Sequence, residues 1–227
     1  MKIIKAREIA APYLSVLIYG TPGMGKTTLL GMLPGPTLII DIDRGTNVLN
    51  GNERVDVVRL SEDLHEMPEL LKELQLKCEY KNVCIDSLSE LERAMLAYLG
   101  RLGKNNGIPT LQDYQRVDFK IIDYCRQFRS LPCNVIFTAW EKYEGIESPT
   151  GETYTQIRPM LRGKNTDNLC GLCDIVGRLV TNPDSSERFV RLEGSTGVLA
   201  KDRIHKRKYC KFEEVLNDKY TSDIRAE

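Results

Sequence analysis

The chain alternates between short apolar runs and longer amphipathic stripes. Leu14 to Tyr19 is an apolar run that stops at Gly20 and reads as a buried strand. Lys26 to Met32 continues as a helix, stopped near Pro34-Gly35-Pro36. Thr37 to Ile42 is a second strand, β-branched and ending in acidic residues. Leu64, Met67, Leu70, Leu71 and Leu74 recur at helical spacing. Val83-Cys84-Ile85 predicts a third strand that ends at Asp86, and Leu88, Leu91, Met95, Tyr98 and Leu102 form the next helical stripe. A polar break rich in Gly and Asn, Gly103 to Pro109, follows. Leu111, Tyr114, Val117, Ile121, Cys125 and Phe128 mark a long amphipathic helix, and Asn134 to Ala139 a fourth strand. Turn residues at Pro149-Thr150-Gly151 and at Asn182-Pro183-Asp184 predict two hairpins.

Strands alternating with helices imply an α/β fold, a mostly parallel central sheet with crossover helices on its faces. The later hairpins add antiparallel strands at one edge. A chain of 227 residues is long enough for one domain that buries about three-quarters of its unfolded surface. Residues 1–210 read as a single core and 211–227 as a tail, partly helical. The formal net charge is zero, so a polyanionic partner would have to meet a local basic patch. The cysteines number seven, an odd count at irregular spacings; they read as reduced thiols of a cytoplasmic protein. Cys170-x-x-Cys173 has no second pair to complete a zinc site and reads as part of a helix. The apolar stretch near the N-terminus runs into a glycine-rich loop, which predicts neither a signal peptide nor a membrane span.

That loop carries the chemistry. Gly20-Thr21-Pro22-Gly23-Met24-Gly25-Lys26-Thr27, followed by Thr28, lies between a strand and a helix. Glycines let successive backbone N–H groups turn toward phosphate oxygens, and the helix aims its positive end at the same charge. A bare strand–helix turn would need neither the Lys nor the Thr. Lys26 is expected to reach the β- and γ-phosphates of ATP and the Thr27 hydroxyl to hold Mg²⁺. Asp86, at the end of an apolar strand and before Ser87, is the expected second metal acid; alone it would read as a helix cap. Turnover also needs a group to orient the attacking water. Asp41 and Asp43 end the second strand, where alternation puts both on one face, and both are candidates for that base.

These residues carry a resemblance. The strand followed by Gly-x4-Gly-Lys-Thr, then Ile40-Asp41-Ile42-Asp43, then Cys84-Ile85-Asp86-Ser87, resembles the RecA-like P-loop ATPase core. In that family the base is an acid at the position of Asp43, where Glu is usual. Ala200-Lys201-Asp202-Arg203 resembles the Lys-x-Arg finger of hexameric RecA-like helicases, which reaches the γ-phosphate of a neighbouring subunit; the plainer reading is a basic surface turn. Ile40-Asp41-Ile42-Asp43-Arg44-Gly45, Phe137-Thr138-Ala139-Trp140-Glu141 and Asp174-Ile175-Val176 are similar to the phage nucleotide-binding family, which includes single-strand annealing recombinases made of a RecA core alone. RecA has a sensing Gln after its fourth strand; Trp140-Glu141 stands there instead.

The resemblance implies an Mg-dependent ATPase that binds single-stranded DNA and assembles head-to-tail as a ring or helical filament, with a single-strand-binding protein as a further partner. The DNA-gripping loops of RecA-like proteins match Arg101 to Tyr114 and Glu141 to Lys164, with Lys104, Lys142, Tyr154, Arg158, Arg162 and Lys164 as contacts. Lys206, Arg207, Lys208 and Lys211 add a basic stretch. Three other readings stay open: a ring ATPase of helicase or helicase-loader type, a small-molecule kinase, and a nucleotide-gated DNA-binding scaffold without turnover.

Overall fold

The computed structural model describes Lys5, residues 13–182 and residues 185–216. Six strands run parallel at its centre: β1 (Ser15–Tyr19), β2 (Thr37–Asp41), β3 (Val55–Val58), β4 (Asn82–Asp86), β5 (Asn134–Ala139) and β8 (Ile175–Thr181). Their order across the sheet is β8-β1-β5-β4-β2-β3. Beyond β8 the sheet turns antiparallel, through β9 (Arg188–Arg191) and β11 (Tyr209–Lys211), with the short β10 (Lys201–Asp202) against the start of β8.

Side-chain alternation divides the strands between two cores. Leu17, Tyr19, Leu38, Ile40, Val83, Ile85, Val135 and Phe137 face one side, against α2 (Met67–Leu76), α3 (Leu88–Leu102), α4 (Leu111–Arg129) and α5 (Asn165–Leu172). Val16, Ile18, Ile39, Cys84 and Ile136 face the other, against Leu29 and Leu30 of α1 (Lys26–Met32). Burial on both faces is why these strands read as unbroken apolar runs. The stripes of α3 and α4 place their apolar positions in the first core, and a capping box between Thr110 and Asp113 starts α4. The break before α4 folds back tightly: a Cβ at Gly100 would meet the Gly107 carbonyl oxygen at 2.3 Å.

β6 (Glu141–Glu147) and β7 (Thr153–Pro159) form a separate two-stranded hairpin. Its base is tied to the main sheet. The Tyr19 hydroxyl donates to the Ile157 and Leu199 carbonyls at 3.1 and 2.8 Å, and Ser89 Oγ donates to the Met160 carbonyl at 2.9 Å.

Three sequence expectations change. Val55–Val58 is a strand that the pattern did not single out; as the sheet's edge it is only half-covered, so no apolar run marks it. Leu64 lies before α2 with φ 55°, outside the helix whose stripe it extends. Ile175–Thr181, read only as the near side of a hairpin, is also a parallel neighbour of β1. The turn residues Pro183 and Asp184, and tail residues 217–227, lie outside the described residues. The sheet itself continues to Lys211, and Val215 is fully buried beyond it. All seven cysteines are free thiols; Cys170 lies on α5 and Cys173 directly follows it. Among the described residues no helix is long and apolar enough to cross a membrane.

Candidate functional site

β1 delivers its chain directly into the glycine-rich loop. Gly20 packs against β8, where a Cβ would stand 3.2 Å from that of Leu179. Gly23 and Gly25 adopt φ of 82° and 89°, left-handed values that L side chains resist, and Gly25 then caps α1. Thr21, Pro22 and Gly23 are exposed, Met24, Gly25, Thr27 and Thr28 half-buried, and Lys26 buried. The Lys26 ammonium donates to the Gly20 and Thr21 carbonyls, both at 3.0 Å. Burial lowers its pKa, opposed by the charges of Asp86, Asp43 and Glu141. One cation therefore feels three acids, from the end of β4 and the segments that follow β2 and β5.

Asp86 ends β4 and is 1% exposed. Its Oδ2 accepts the Thr27 hydroxyl at 2.5 Å, and its Oδ1 accepts the hydroxyl of Thr138. Burial raises its pKa, while the Thr138 and Thr27 hydroxyls pull the other way. Thr138 went unnoticed in the sequence as a site residue. Its signal is a hydroxyl inside the apolar run of β5, and its partner becomes visible only once β5 lies beside β4.

The two acids after β2 part ways. β2 ends at Asp41, so strand alternation does not extend to Asp43 and the two carboxylates do not share a setting. Asp41 is buried and accepts from Gly45 N–H at 2.9 Å, the Thr46 hydroxyl at 2.6 Å and Arg59 Nε at 3.0 Å; it fastens the turn that follows. Asp43 is exposed and accepts from Ser87, the backbone N–H at 2.8 Å and the hydroxyl at 3.0 Å, beside Asp86.

Where Trp140-Glu141 follows β5, Glu141 is not a free acid. It holds Arg178 of β8 through two bonds, at 3.0 and 3.3 Å, and the Arg93 guanidinium stacks 4.6 Å over the Trp140 ring. The sequence reading missed Arg178, because only the adjacency of β8 and β1 brings it next to Tyr19.

Arg203 lies at the other end of the sheet, and Lys201 partway along it. Lys201 pairs with Val176 near the start of β8. Arg203 sits in a turn after β10, and its Nε donates at 3.0 Å to Asp174, whose other oxygen accepts the Ser15 N–H and hydroxyl. Ser15 starts β1 and the loop leaves its far end, so the length of the strand, about 13 Å, separates Arg203 from the chain's own loop, while Lys201, level with Val176 and Leu17, lies about half that distance back.

The remaining cations differ in their freedom. Lys104 is exposed in the α3–α4 connection and Lys164 is exposed just before α5. Tyr154 is half-buried on β7. Lys142 donates to Glu144 at 3.1 Å and to the Leu161 carbonyl at 3.0 Å. Arg158 is buried between Glu144, at 2.9 Å, and Asp167. Arg162 stacks 3.9 Å over the Tyr114 ring and faces Asp118. Arg207 is buried against Asp202 at 2.7 Å and fastens the end of the core.

Two solved structures illustrate the likeness of this fold to others. A KaiC-like protein of the hyperthermophilic archaeon Pyrococcus horikoshii OT3 matches over 78% of this chain and 77% of its own, with 14% identity and a TM-score of 0.42. An ATPase from the type III secretion system of pathogenic bacteria matches over 92% of this chain and 59% of its own, with 14% identity and a TM-score of 0.46. No match is found among curated proteins. The family model of the AAA domain matches residues 13–204, which span the glycine-rich loop, both strand-end acids and the parallel sheet. With that match the chain belongs to the AAA domain family, and its mostly parallel central sheet flanked by helices, with antiparallel strands added, is the α/β fold expected from its sequence.

Proposed function

We propose that this protein is an Mg²⁺-dependent ATPase that binds single-stranded DNA, assembles head-to-tail, and acts in phage-type homologous recombination by single-strand annealing. The observation that carries the hydrolytic part is the Thr27–Asp86 hydrogen bond of 2.5 Å, which joins the glycine-rich loop to a buried strand-end acid with Lys26 alongside. Lys26 moves from its loop carbonyls to the β- and γ-phosphates of ATP, and the N–H groups from Gly20 to Thr28 surround those phosphates. Thr27 and Asp86 offer hard oxygen donors, the set that suits Mg²⁺, which would neutralise charge on the phosphates. Asp43, held by Ser87, orients the attacking water.

The DNA reading is supported by exposed Lys104 and Lys164 and by Tyr154, all in the connections after β4 and β5. Head-to-tail assembly is supported by the position of Arg203, at the far end of β1 from its own loop, with Lys201 two residues before it. A core over residues 1–210 with a tail beyond it is part of the same proposal. A second reading has its own support: the Ser87 backbone N–H and hydroxyl both donate to Asp43, an engagement that suits a scaffold that binds ATP without hydrolysing it. ATP hydrolysis measured with and without single-stranded DNA, alongside particle imaging of the same samples, separates the two. Hydrolysis raised by DNA, in rings or filaments, supports the recombinase. Tight ATP binding without turnover supports the scaffold, and no single-strand binding at low salt overturns both.

A further inference from the structure

The hydrolytic reading gives a bound triphosphate a direction. Lys26 and the Thr27–Asp86 pair take its β- and γ-phosphates and their metal ion. Asp86 ends β4 and Asp43 follows β2, and both strands lie on the β5 side of β1. The nucleoside therefore leaves the loop on the opposite side, where β8 and β9 lie. The end of β8 rests on the loop itself, because the Thr181 hydroxyl donates to the Met24 sulfur at 3.8 Å. Across the hairpin, Arg188 of β9 pairs in register with Thr181.

A cavity of about 380 Å³ opens there, within the range of roughly 300–1,000 Å³ that holds small molecules. It is lined by Thr28, the residue after Thr27, by Met32 at the end of α1, by Arg188 and Phe189 of β9, and by Lys211 and Glu213. Two features set it apart from a water-filled crevice. Met32 is 42% exposed, an apolar side chain left open on a helix whose Leu29 and Leu30 are fully buried. Arg188 is exposed, and its guanidinium makes no hydrogen bond or ion pair among the described residues. A polarizable thioether and a planar cation are groups that pack on the flat face of a ring. The Thr28 hydroxyl, the Lys211 ammonium and the Glu213 carboxylate supply donors and acceptors for sugar and ring-edge groups.

We propose that this cavity is the nucleoside subsite, that it takes a purine base, and that Arg188 stacks on that base. The inference rests on the phosphate-loop reading above, and it adds which residues choose the nucleotide. Contacts to a ring face grow with the number of atoms in that face. A purine offers two fused rings and a pyrimidine one, so ATP and GTP bind here more tightly than UTP and CTP.

The test is calorimetric titration of the parent and of Arg188→Ala with ATP, UTP and inorganic tripolyphosphate, each with Mg²⁺. Tripolyphosphate carries the phosphates without the nucleoside. In Arg188→Ala the ATP affinity should fall by a factor of about 5–150, the range of one lost base stack, while tripolyphosphate binds as in the parent. The parent should prefer ATP to UTP, and the variant should lose most of that preference. Unchanged ATP affinity overturns the proposal. So does an equal loss for tripolyphosphate, which would mark a charge effect at the phosphates. A parent that binds UTP or tripolyphosphate as tightly as ATP also overturns it, and leaves the phosphate loop standing. Should Arg188→Ala fail to fold, Arg188→Lys decides, since it keeps the charge and removes the plane. Weaker ATP binding with unchanged tripolyphosphate binding then supports the role, and parental ATP affinity overturns it. Lys26→Ala tests the underlying reading: it should weaken ATP and tripolyphosphate alike, and if it weakens neither, the phosphate-loop reading falls and this inference with it.

Discussion

At the scale of single residues, Asp86 ends β4 and Asp43 lies just past the end of β2, and their surroundings give them different consequences. Asp86 is a buried carboxylate between two hydroxyls, with its pKa raised chiefly by desolvation. A raised folded-state pKa means that ionisation costs stability, and the cost grows as pH rises from the unfolded value of about 3.9. Asp86→Asn removes that cost, and both threonine hydroxyls can donate or accept, so the amide can still be satisfied. The variant should lose Mg-dependent hydrolysis while its melting temperature rises, by about 2–4 °C for each 1 kcal/mol relieved. The gain should be present at neutral pH and shrink as pH falls toward the unfolded carboxylate pKa. Thermal melts at several pH values check this, and a lower melting temperature at neutral pH would contradict the desolvation account. Asp43→Asn should instead keep ATP affinity and slow hydrolysis, because the exposed Asp43 carboxylate contacts only Ser87 among the described residues. Equal single-turnover rates for variant and parent would place water orientation elsewhere.

At the scale of elements, the β6–β7 hairpin and the connections around it hold the cations read from the sequence as DNA contacts, and the structure separates them by their engagement. Lys142 and Arg158 are engaged with Glu144 within the hairpin, and Arg158 also with Asp167, whereas Lys104 and Lys164 are exposed. If single-stranded DNA binds here, changing Lys104 and Lys164 together to Ala should flatten the dependence of log affinity on log salt by about 1.4, from two phosphates no longer neutralised. Tyr154→Ala should lose about 1–3 kcal/mol of binding if a base stacks on its ring. Arg158→Ala should act differently, destabilising the fold by about 1–2 kcal/mol through the loss of a mostly buried side chain and two acidic partners. Salt titrations with fluorescent oligonucleotides, paired with urea melts, distinguish a contact from a brace. An unchanged slope in the double variant would remove the two lysines from the interface.

At the scale of the whole molecule, the sheet separates the glycine-rich loop from Arg203 by the length of β1, with Lys201 partway between. A cation at that distance meets its own chain's phosphate only after large rearrangement, but head-to-tail stacking would bring it to a neighbour's. Such an interface is heterologous and must close into a ring or continue as a helix. Arg203→Ala should therefore bind ATP and hydrolyse it poorly, and Lys26→Ala should show no turnover. Mixing the two creates interfaces where Arg203 comes from one variant and Lys26 from the other, and activity should partly return. Mixed assemblies that remain as inactive as either variant alone, under conditions where co-assembly is shown by imaging, would leave Arg203 as no more than the cis partner of Asp174.

What the sequence determined by itself was local. Glycines at left-handed positions, a lysine and threonine at the start of a helix, and acids at strand ends are legible because backbone conformation and side-chain period are set within a few residues. The alternation of strands and helices carried the parallel sheet for the same reason. The order of strands was decided only by the tertiary structure, and with it the partners of each site residue. β5 between β1 and β4 gives Asp86 its Thr138 hydroxyl, and β8 beside β1 brings in Arg178 for Glu141. Asp41 and Asp43 look alike in sequence, yet one fastens a turn and the other faces Ser87, because the strand ends between them. Arg158 and Lys164 read alike as basic loop residues, and the hairpin's ion pairs set them apart. Each of these outcomes depends on groups far apart in the chain meeting in space, which no local period or spacing specifies.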